Sequence, residues 1–361
     1  MAINLKTEYS PLLDKRFTQK SLTEQWCSHD YSWEGDETIK VWTLGQVVLN
    51  DYWTPASAFT ANRFTGGSAP TELQDEINTY TLRNRKSFAA TIDMTVNQDQ
   101  ANIKKANSVL KQVWDEQIVP LIDQDRLQSW AAGAGTAVIN STALTYQTIL
   151  RQILVGSSVL NNNLVAREGR VCFVTETMAV ECKLVEQLAH NDAFTTKALV
   201  NGEVARLNGM PIVAVPDAWM PAGVEFMIKY KKASADPRKL KLLRSNNNVP
   251  GLAGTLIEGL VRFDSFVLAQ KAMGIYVYGA SGIQAAPSAA TQSSGTLTIT
   301  EVSSPDHTFY TLDGSNPKTS STAAEYDSSS KPTGVAAGTV VKTYSTKAGV
   351  LPSGIASFVL A

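Results

Sequence analysis

Apolar positions along this chain change period several times, and each change predicts a different element. Over residues 37–49 they alternate: Ile39 and Val41 share one face, Lys40 and Trp42 the other, and Val47-Val48-Leu49 extends the run. Period-two alternation marks a half-buried strand. It returns through Tyr80 and Leu82, then strictly at Phe88, Ala90, Ile92 and Met94. Between the two runs the chain is rich in small and turn-forming residues. The pattern predicts a long hairpin whose tip carries Pro55, Arg63, Gly66, Gly67 and Pro70. So long a stretch without an element is unusual inside a compact domain and points to contacts made outside it. An ordinary surface loop is the plainer alternative.

From about Gln98 to Val119 the period becomes helical. Ile103, Ala106, Leu110, Trp114, Ile118 and Leu121 fall three or four apart and form one apolar stripe. Asn97 or Asp99 is placed to cap its start, and Pro120 marks a break or kink near its end. A turn at Ala131–Gly135 precedes a second helix over roughly Thr142–Leu154. Arg170–Thr175 reads as a buried strand, with Thr175 placed to cap a helix over Glu176–His190. Gly202 and Gly209 bracket two strands, the second through Pro211–Pro216. Further strands are expected at Phe226–Lys232 and at two places in Phe263–Tyr278, separated by Ala269–Ala272. Before all of this, residues 1–33 scatter Leu12, Leu13, Phe17, Leu22 and Trp26 among charges, like an arm that anchors on something else.

At Gly279 the composition shifts. Ala280–Ser294 is Ala, Ser, Gly, Gln and Pro with no anchor larger than Ile283, which predicts a flexible linker. Beyond it Thr296–Thr300, His307–Leu312, Thr339–Tyr344 and Ile355–Leu360 read as short strands, with a hairpin-type turn at Asp313-Gly314. Short strands with regular turn signals predict a small antiparallel sandwich.

Composition narrows the function more than it widens it. The chain has 361 residues, 43% hydrophobic and 18% charged, as a multidomain globular protein should. Its formal net charge of −1 carries no polycationic signature for nucleic acid or membrane. The local exception is Arg238, Lys239, Lys241 and Arg244, either a solvated loop or an interface. Cys27, Cys172 and Cys182 have neither a disulfide nor a metal spacing and read as buried thiols in a reduced compartment. The N-terminus lacks a signal-peptide pattern, and no apolar run is long enough to span a membrane. The three histidines, His29, His190 and His307, match no catalytic motif. The acidic pairs Asp75/Glu76, Asp115/Glu116 and Asp123/Asp125 face no evident cleft. These residues imply no enzyme, no metal and no cofactor.

The order of elements over residues 1–279 resembles the major capsid proteins of tailed phages with the Hong Kong 97-like fold, an α+β architecture. Lys86-Ser-Phe-Ala-Ala-Thr-Ile-Asp93 is similar to the strand that returns from that family's extended loop, and Ile118-Val-Pro-Leu-Ile-Asp-Gln-Asp-Arg-Leu127 to the exit of its spine helix. The resemblance implies an N-terminal arm at 1–33 and an extended loop at 34–93. It implies a peripheral domain at 94–135 and 223–260, and an axial domain at 136–222 and 261–279. After a linker at 280–294, residues 295–361 resemble the immunoglobulin-like accessory domain of chitobiase-type surface proteins. That likeness rests on Tyr310-Thr-Leu-Asp313-Gly314-Ser315-Asn-Pro317.

Taken as a whole, the resemblance implies a virion protein, made in the host cytoplasm, that assembles with itself. Its hexamers and pentamers would form an icosahedral shell around double-stranded DNA, with portal and scaffolding proteins as partners. The sandwich would sit outside for decoration, stabilisation, or weak contact with a host surface or glycan. No lysine lies between Val41 and Arg85, so a covalent cross-link from the loop tip is not expected. The alternatives are a cellular nanocompartment shell of the same fold or a non-catalytic glycan-binding surface protein.

Overall fold

The structure is a computed structural model that describes residues 20–28, 38–44, 75–94, 97, 105–142, 144–185, 203–247, 250–251 and 253–361. Residues 35–81 form one compact unit, and 1–34 with 82–361 form the other. In the first unit, β1 (Thr38–Leu44) pairs antiparallel with β2 (Asp75–Thr81), from Thr38 opposite Thr81 to Leu44 opposite Asp75. The expected alternation holds, with Ile39 and Val41 buried and Trp42 exposed. Trp42 lies opposite Ile77, which is also exposed. The tip residues Pro55, Arg63, Gly66, Gly67 and Pro70 lie outside the described residues, as do Val47–Leu49.

In the second unit, β3 (Asn84–Asp93) leads into α1 (Ala106–Val113), a π turn (Trp114–Ile118) and α2 (Val119–Ala132). The helix therefore runs past Pro120 instead of stopping there. Proline lacks an N–H, and its ring crowds the carbonyl four residues back. The turn before it widens to accommodate this: the Val119 N–H donates to Trp114 O, five residues earlier. The extra residue rotates the buried face. Ile118 and Ile122 are buried while Leu121, expected in the stripe, is exposed.

The chain continues through β4 (Thr136–Ile139), α3 (Ile149–Asn162), β5 (Arg170–Thr175) and α4 (Glu176–Lys183). Then come β6 (Glu203–Leu207), β7 (Met210–Val215), β8 (Val224–Tyr230), β9 (Ser234–Ala235), β10 (Arg238–Asn246), β11 (Gly254–Phe263), β12 (Phe266–Val267) and β13 (Ile275–Gly279). Two helical expectations shift. The helix expected from Thr142 starts only at Ile149, because the Thr145 and Tyr146 N–H groups are taken by the Thr148 hydroxyl and the Glu181 carboxylate. The helix after β5 closes at Lys183. Its cap is as expected, with Thr175 Oγ1 accepting from the Met178 N–H at 3.3 Å.

Two sheets organise this unit. The order β10-β11-β3 is antiparallel throughout, and its apolar face (Ile92, Ile257, Val261, Phe263) packs against Leu110, Ile118 and Ile122 of the long helix. Gly259 lies opposite Phe88, where any Cβ would overlap the Phe88 ring. The second sheet has the order β4-β13-β8-β5-β7-β6. Val171, Phe173, Val213, Val215, Met227 and Val277 face Leu127 and Trp130 of α2. Their neighbours Cys172, Val174, Ile212, Phe226, Ile228 and Tyr276 face Ile149, Ile153 and Leu160 of α3 and Ala179 of α4. Burial on both sides explains why these strands read as unbroken apolar runs rather than alternating ones.

The sheets redraw the expected domain ranges. β8 falls within 223–260 yet sits inside the six-stranded sheet, whereas β3 and residues 261–263 of β11 belong to the three-stranded one. The stretch that carries the basic cluster, where a solvated loop is one of two readings, contains the edge strand β10.

The C-terminal part pairs β14 (Ala289–Ser293) with β15 (Thr296–Thr300), and orders β16 (His307–Thr311), β17 (Ala324–Glu325), β18 (Val340–Thr346) and β19 (Ala356–Val359) as β17-β16-β18-β19. Ala290, Leu297 and Ile299 from the first sheet meet Val341 of the second and Tyr326, Val335 and Leu360 beside its strands. The flexible linker is corrected here. Residues 289–293 are a strand, and Ile283 is buried in a parallel bridge to Leu351.

Candidate assembly elements

No group of three or more His, Cys, Asp or Glu among the described residues is placed to hold a metal ion. The structured chemistry lies where the long elements meet the core. The arm is fixed by one carboxylate. Asp123 of α2 accepts from Ser21 Oγ at 2.7 Å, the Leu22 N–H at 2.9 Å and Thr23 Oγ1 at 2.6 Å. Arg126, one turn on, donates to Thr23 Oγ1 at 3.0 Å and Glu24 Oε2 at 2.7 Å. Lys229, fully buried in β8, donates to Trp26 O at 2.8 Å, with its ammonium 4.0 Å from the centre of the Trp130 ring. Burial lowers the Lys229 pKa, and the neighbouring Asp236 carboxylate opposes that shift. Asp236 itself accepts from Trp130 Nε1 at 2.9 Å, from Ser234 Oγ at 2.6 Å and from the Ser265 hydroxyl. Charges this deep persist only when paired and hydrogen-bonded.

Leu22 is buried in the main core and Trp26 is packed against it. Leu12, Leu13 and Phe17 lie outside the described residues. Cys27 is buried beside Trp26. Burial pushes its thiol pKa up, helped by the Asp236 charge, so it is held as an inert thiol. Cys172 and Cys182 are likewise free and buried.

A second clamp grips residues 83–84, where the chain enters β3. The Arg83 N–H and guanidinium donate to the Asp264 carboxylate at 2.8–3.3 Å, and Asn84 Nδ2 donates to Asp125 Oδ1 at 2.8 Å. Burial raises the Asp125 pKa. The pair Asp123/Asp125 is therefore split between two anchoring jobs. The sequence offered a faint signal for this. Asp123 and Arg126 are one turn apart, between Ile122 and Leu127, on the face that must be buried.

The basic cluster is partly consumed inside the subunit. Arg238 approaches Glu24 at 3.4 Å and lies over the Trp114 ring, and Arg244 Nε donates to Glu258 across the strand pair at 2.6 Å. Lys239 and Lys241 share β10 with them, and their side chains lie outside the described residues.

In the C-terminal part the signature residues shape one loop. Asp313 accepts from the Ser315 N–H and hydroxyl at 2.9 and 2.6 Å and from Thr322 Oγ1 at 2.6 Å. Gly314 takes φ 73°, as the turn requires. No tight hairpin forms at Asp313-Gly314, because β16 next pairs with β17, which follows at residue 324. Tyr310 packs edge-on against Tyr326, and Pro317 is buried. His307 opens β16, exposed, with Nδ1 2.6 Å from Glu325 Oε1; that hydrogen bond raises its pKa.

No family model and no curated protein matches the sequence. Solved structures do match. A chain from Mycobacterium phage Che8 superposes with a TM-score of 0.60 at 15% identity, over 77% of this chain and 99% of that one. A capsid structure of the cyanophage P-SCSP1u gives 0.58 at 13%, over 77% and 93%. The mature capsid of bacteriophage PhiM1 gives 0.55 at 11%, over 77% and 92%. The fold of this chain is that of phage capsid proteins.

Proposed function

We propose that the chain is the major capsid protein of a tailed phage, a structural subunit that assembles with copies of itself. The observation that carries this reading is the fold likeness, which takes in nearly the whole of each matched capsid chain. The arm and the extended hairpin support it. Of these, residues 20–28 and, at the start of β3, residues 83–84 are held to α2 and the loop before β12 by buried and half-buried polar contacts. A shell needs heterologous contacts that close into rings, and long elements supply them.

In this reading hexamers and pentamers build an icosahedral shell around double-stranded DNA, with portal and scaffolding proteins as further partners. In the same reading the peripheral domain is built on the three-stranded sheet with the long helix, and the axial domain on the six-stranded sheet. The C-terminal sandwich is an immunoglobulin-like accessory domain on the outer surface, with stabilisation or weak glycan contact as its work. Electron microscopy of the expressed protein tests the central proposal. Closed icosahedral particles with small outward knobs are expected, and a protein that stays monomeric across salt and concentration would sink it.

A further inference from the structure

The C-terminal sandwich touches the rest of its own chain through a set of directed polar contacts that a tethered module would not need. Lys318, in the loop stapled by Asp313, reaches the end of the long helix. Its Nζ donates to Ala134 O at 2.8 Å and to Ala132 O at 3.1 Å. Those carbonyls belong to the last turn of α2 and the residues after it, where backbone acceptors have no helical partner. The same nitrogen lies 5.7 Å from the centre of the Tyr344 ring on β18, so the sandwich holds the amine from one side while the helix end receives it on the other.

Further contacts surround this one. Asn316 Nδ2 donates to Ala269 O at 2.8 Å, and Asn316 Oδ1 accepts from the Lys318 N–H at 2.9 Å, which sets the loop for the reach. The Ile355 N–H donates to Gly135 O at 2.7 Å, and Gly354 lies so close to Ala137 N that a Cβ there would stand only 2.7 Å away. Leu351 and Ile355 pack on the apolar cluster that holds Trp130 and Phe173, and the Leu351 N–H donates to Gly282 O. The contacts of Lys318, Asn316, Gly354 and Ile355 meet one corner, 132–137 with 269–272, where α2 ends, β4 begins and the approach to β13 turns.

We propose that the C-terminal sandwich is a seated clamp on its own subunit, closing the corner at the end of α2, and that Lys318 is the residue that locks it there. Its role is to brace the joint between the long helix and the six-stranded sheet. The inference concerns the subunit alone, so it can fail while the shell reading stands, and the reverse.

Two measurements on the full chain test it. Spin labels on the exposed positions Glu168→Cys and Ser328→Cys read the distance between core and sandwich by pulsed electron resonance. The three native cysteines are buried and stay unlabelled. A single narrow distribution is expected, and one spread over tens of ångströms, about what a flexible linker allows, overturns the proposal. Hydrogen exchange then tests Lys318 with Lys318→Met, which keeps the stem and removes the donors. Exchange at 132–137 and 351–355 is expected to rise about tenfold or more, with the strands of the six-stranded sheet unaffected. Should Lys318→Met fail to fold, Asn316→Ala removes only the neighbouring contact and is expected to raise exchange in the same two segments by a smaller factor. Unchanged exchange in both segments for either variant overturns the role of the loop.

Discussion

Asp123 carries more of this subunit than its place in a helix suggests. It accepts from three donors of the arm and lies 3.6 Å from the Arg126 guanidinium, with both side chains almost fully buried. Removing it takes one of two carboxylates from Arg126, which keeps Glu24, and leaves three donors of the arm unmatched. We expect Asp123→Ala to destabilise the folded subunit by about 3–5 kcal/mol in urea denaturation. It should also open the chain near Lys20 to protease, while Asp123→Asn, which keeps one acceptor, loses less. At the other end of α2, Lys318 makes a pH-dependent prediction. Burial lowers its pKa from 10.5 to about 7. The seated form then binds fewer protons than the released form between those values, so seating strengthens as pH rises from about 7 towards 10.5 and is weakest below that window. Exchange at 351–355, corrected for the intrinsic rate, should slow across this range in the native chain and show no such slope in Lys318→Met. Neither residue stood out in the sequence. A lone charge becomes a node only through partners about 100 or 185 residues away.

Among the elements, the long helix is the instructive case. Its stripe through Leu110, Trp114 and Ile118 was legible, and so was a disturbance at Pro120. The form of the disturbance was not. Whether a proline ends a helix or is absorbed depends on whether both sides have something to pack on. Here Ile118 lies against Val261 and Phe263 while Leu127 and Trp130 enter the core of the six-stranded sheet, so the helix continues through a π turn. The three-stranded sheet hides a similar dependence at Gly259. We expect Gly259→Ala to destabilise by about 1–3 kcal/mol, because its Cβ overlaps the Phe88 ring. Adding Phe88→Leu should restore part of that loss, and a double-mutant cycle by chemical denaturation reads the coupling. Strictly additive effects would mean that the ring does not rest on Gly259.

For the whole molecule, the proposed shell depends on the arm and the hairpin. The exposed pair Trp42 and Ile77 lies face to face across β1 and β2, an apolar spot that a solitary hairpin has no reason to keep. Deleting Pro55–Pro70 is expected to leave a folded subunit, by circular dichroism and thermal unfolding, that forms no closed particles in electron micrographs. Normal particles from that deletion would remove the hairpin tip from the assembly mechanism. A chain truncated at Gly279 is expected to unfold several degrees lower than the full chain, since the corner at 132–137 loses its cover.

Local pattern set the order and kind of most elements, because period, turn residues and caps act within a few residues of one another. The cap at Thr175 is written in adjacent residues and forms as the sequence predicts, and the turn from β6 to β7 is equally local, with Asn208 and Gly209 both at positive φ. Which sheet each strand joins was settled only in three dimensions, since β3, β8 and β11 have no local signal for their neighbours. The same holds for Asp123 and Asp125, which anchor two different segments. It holds too for the polar, small-residue stretch after Gly279, which is packed and not free. Composition there reports weak preference for any element, and what overrides it is a surface that exists only once α2, β4 and β13 have come together.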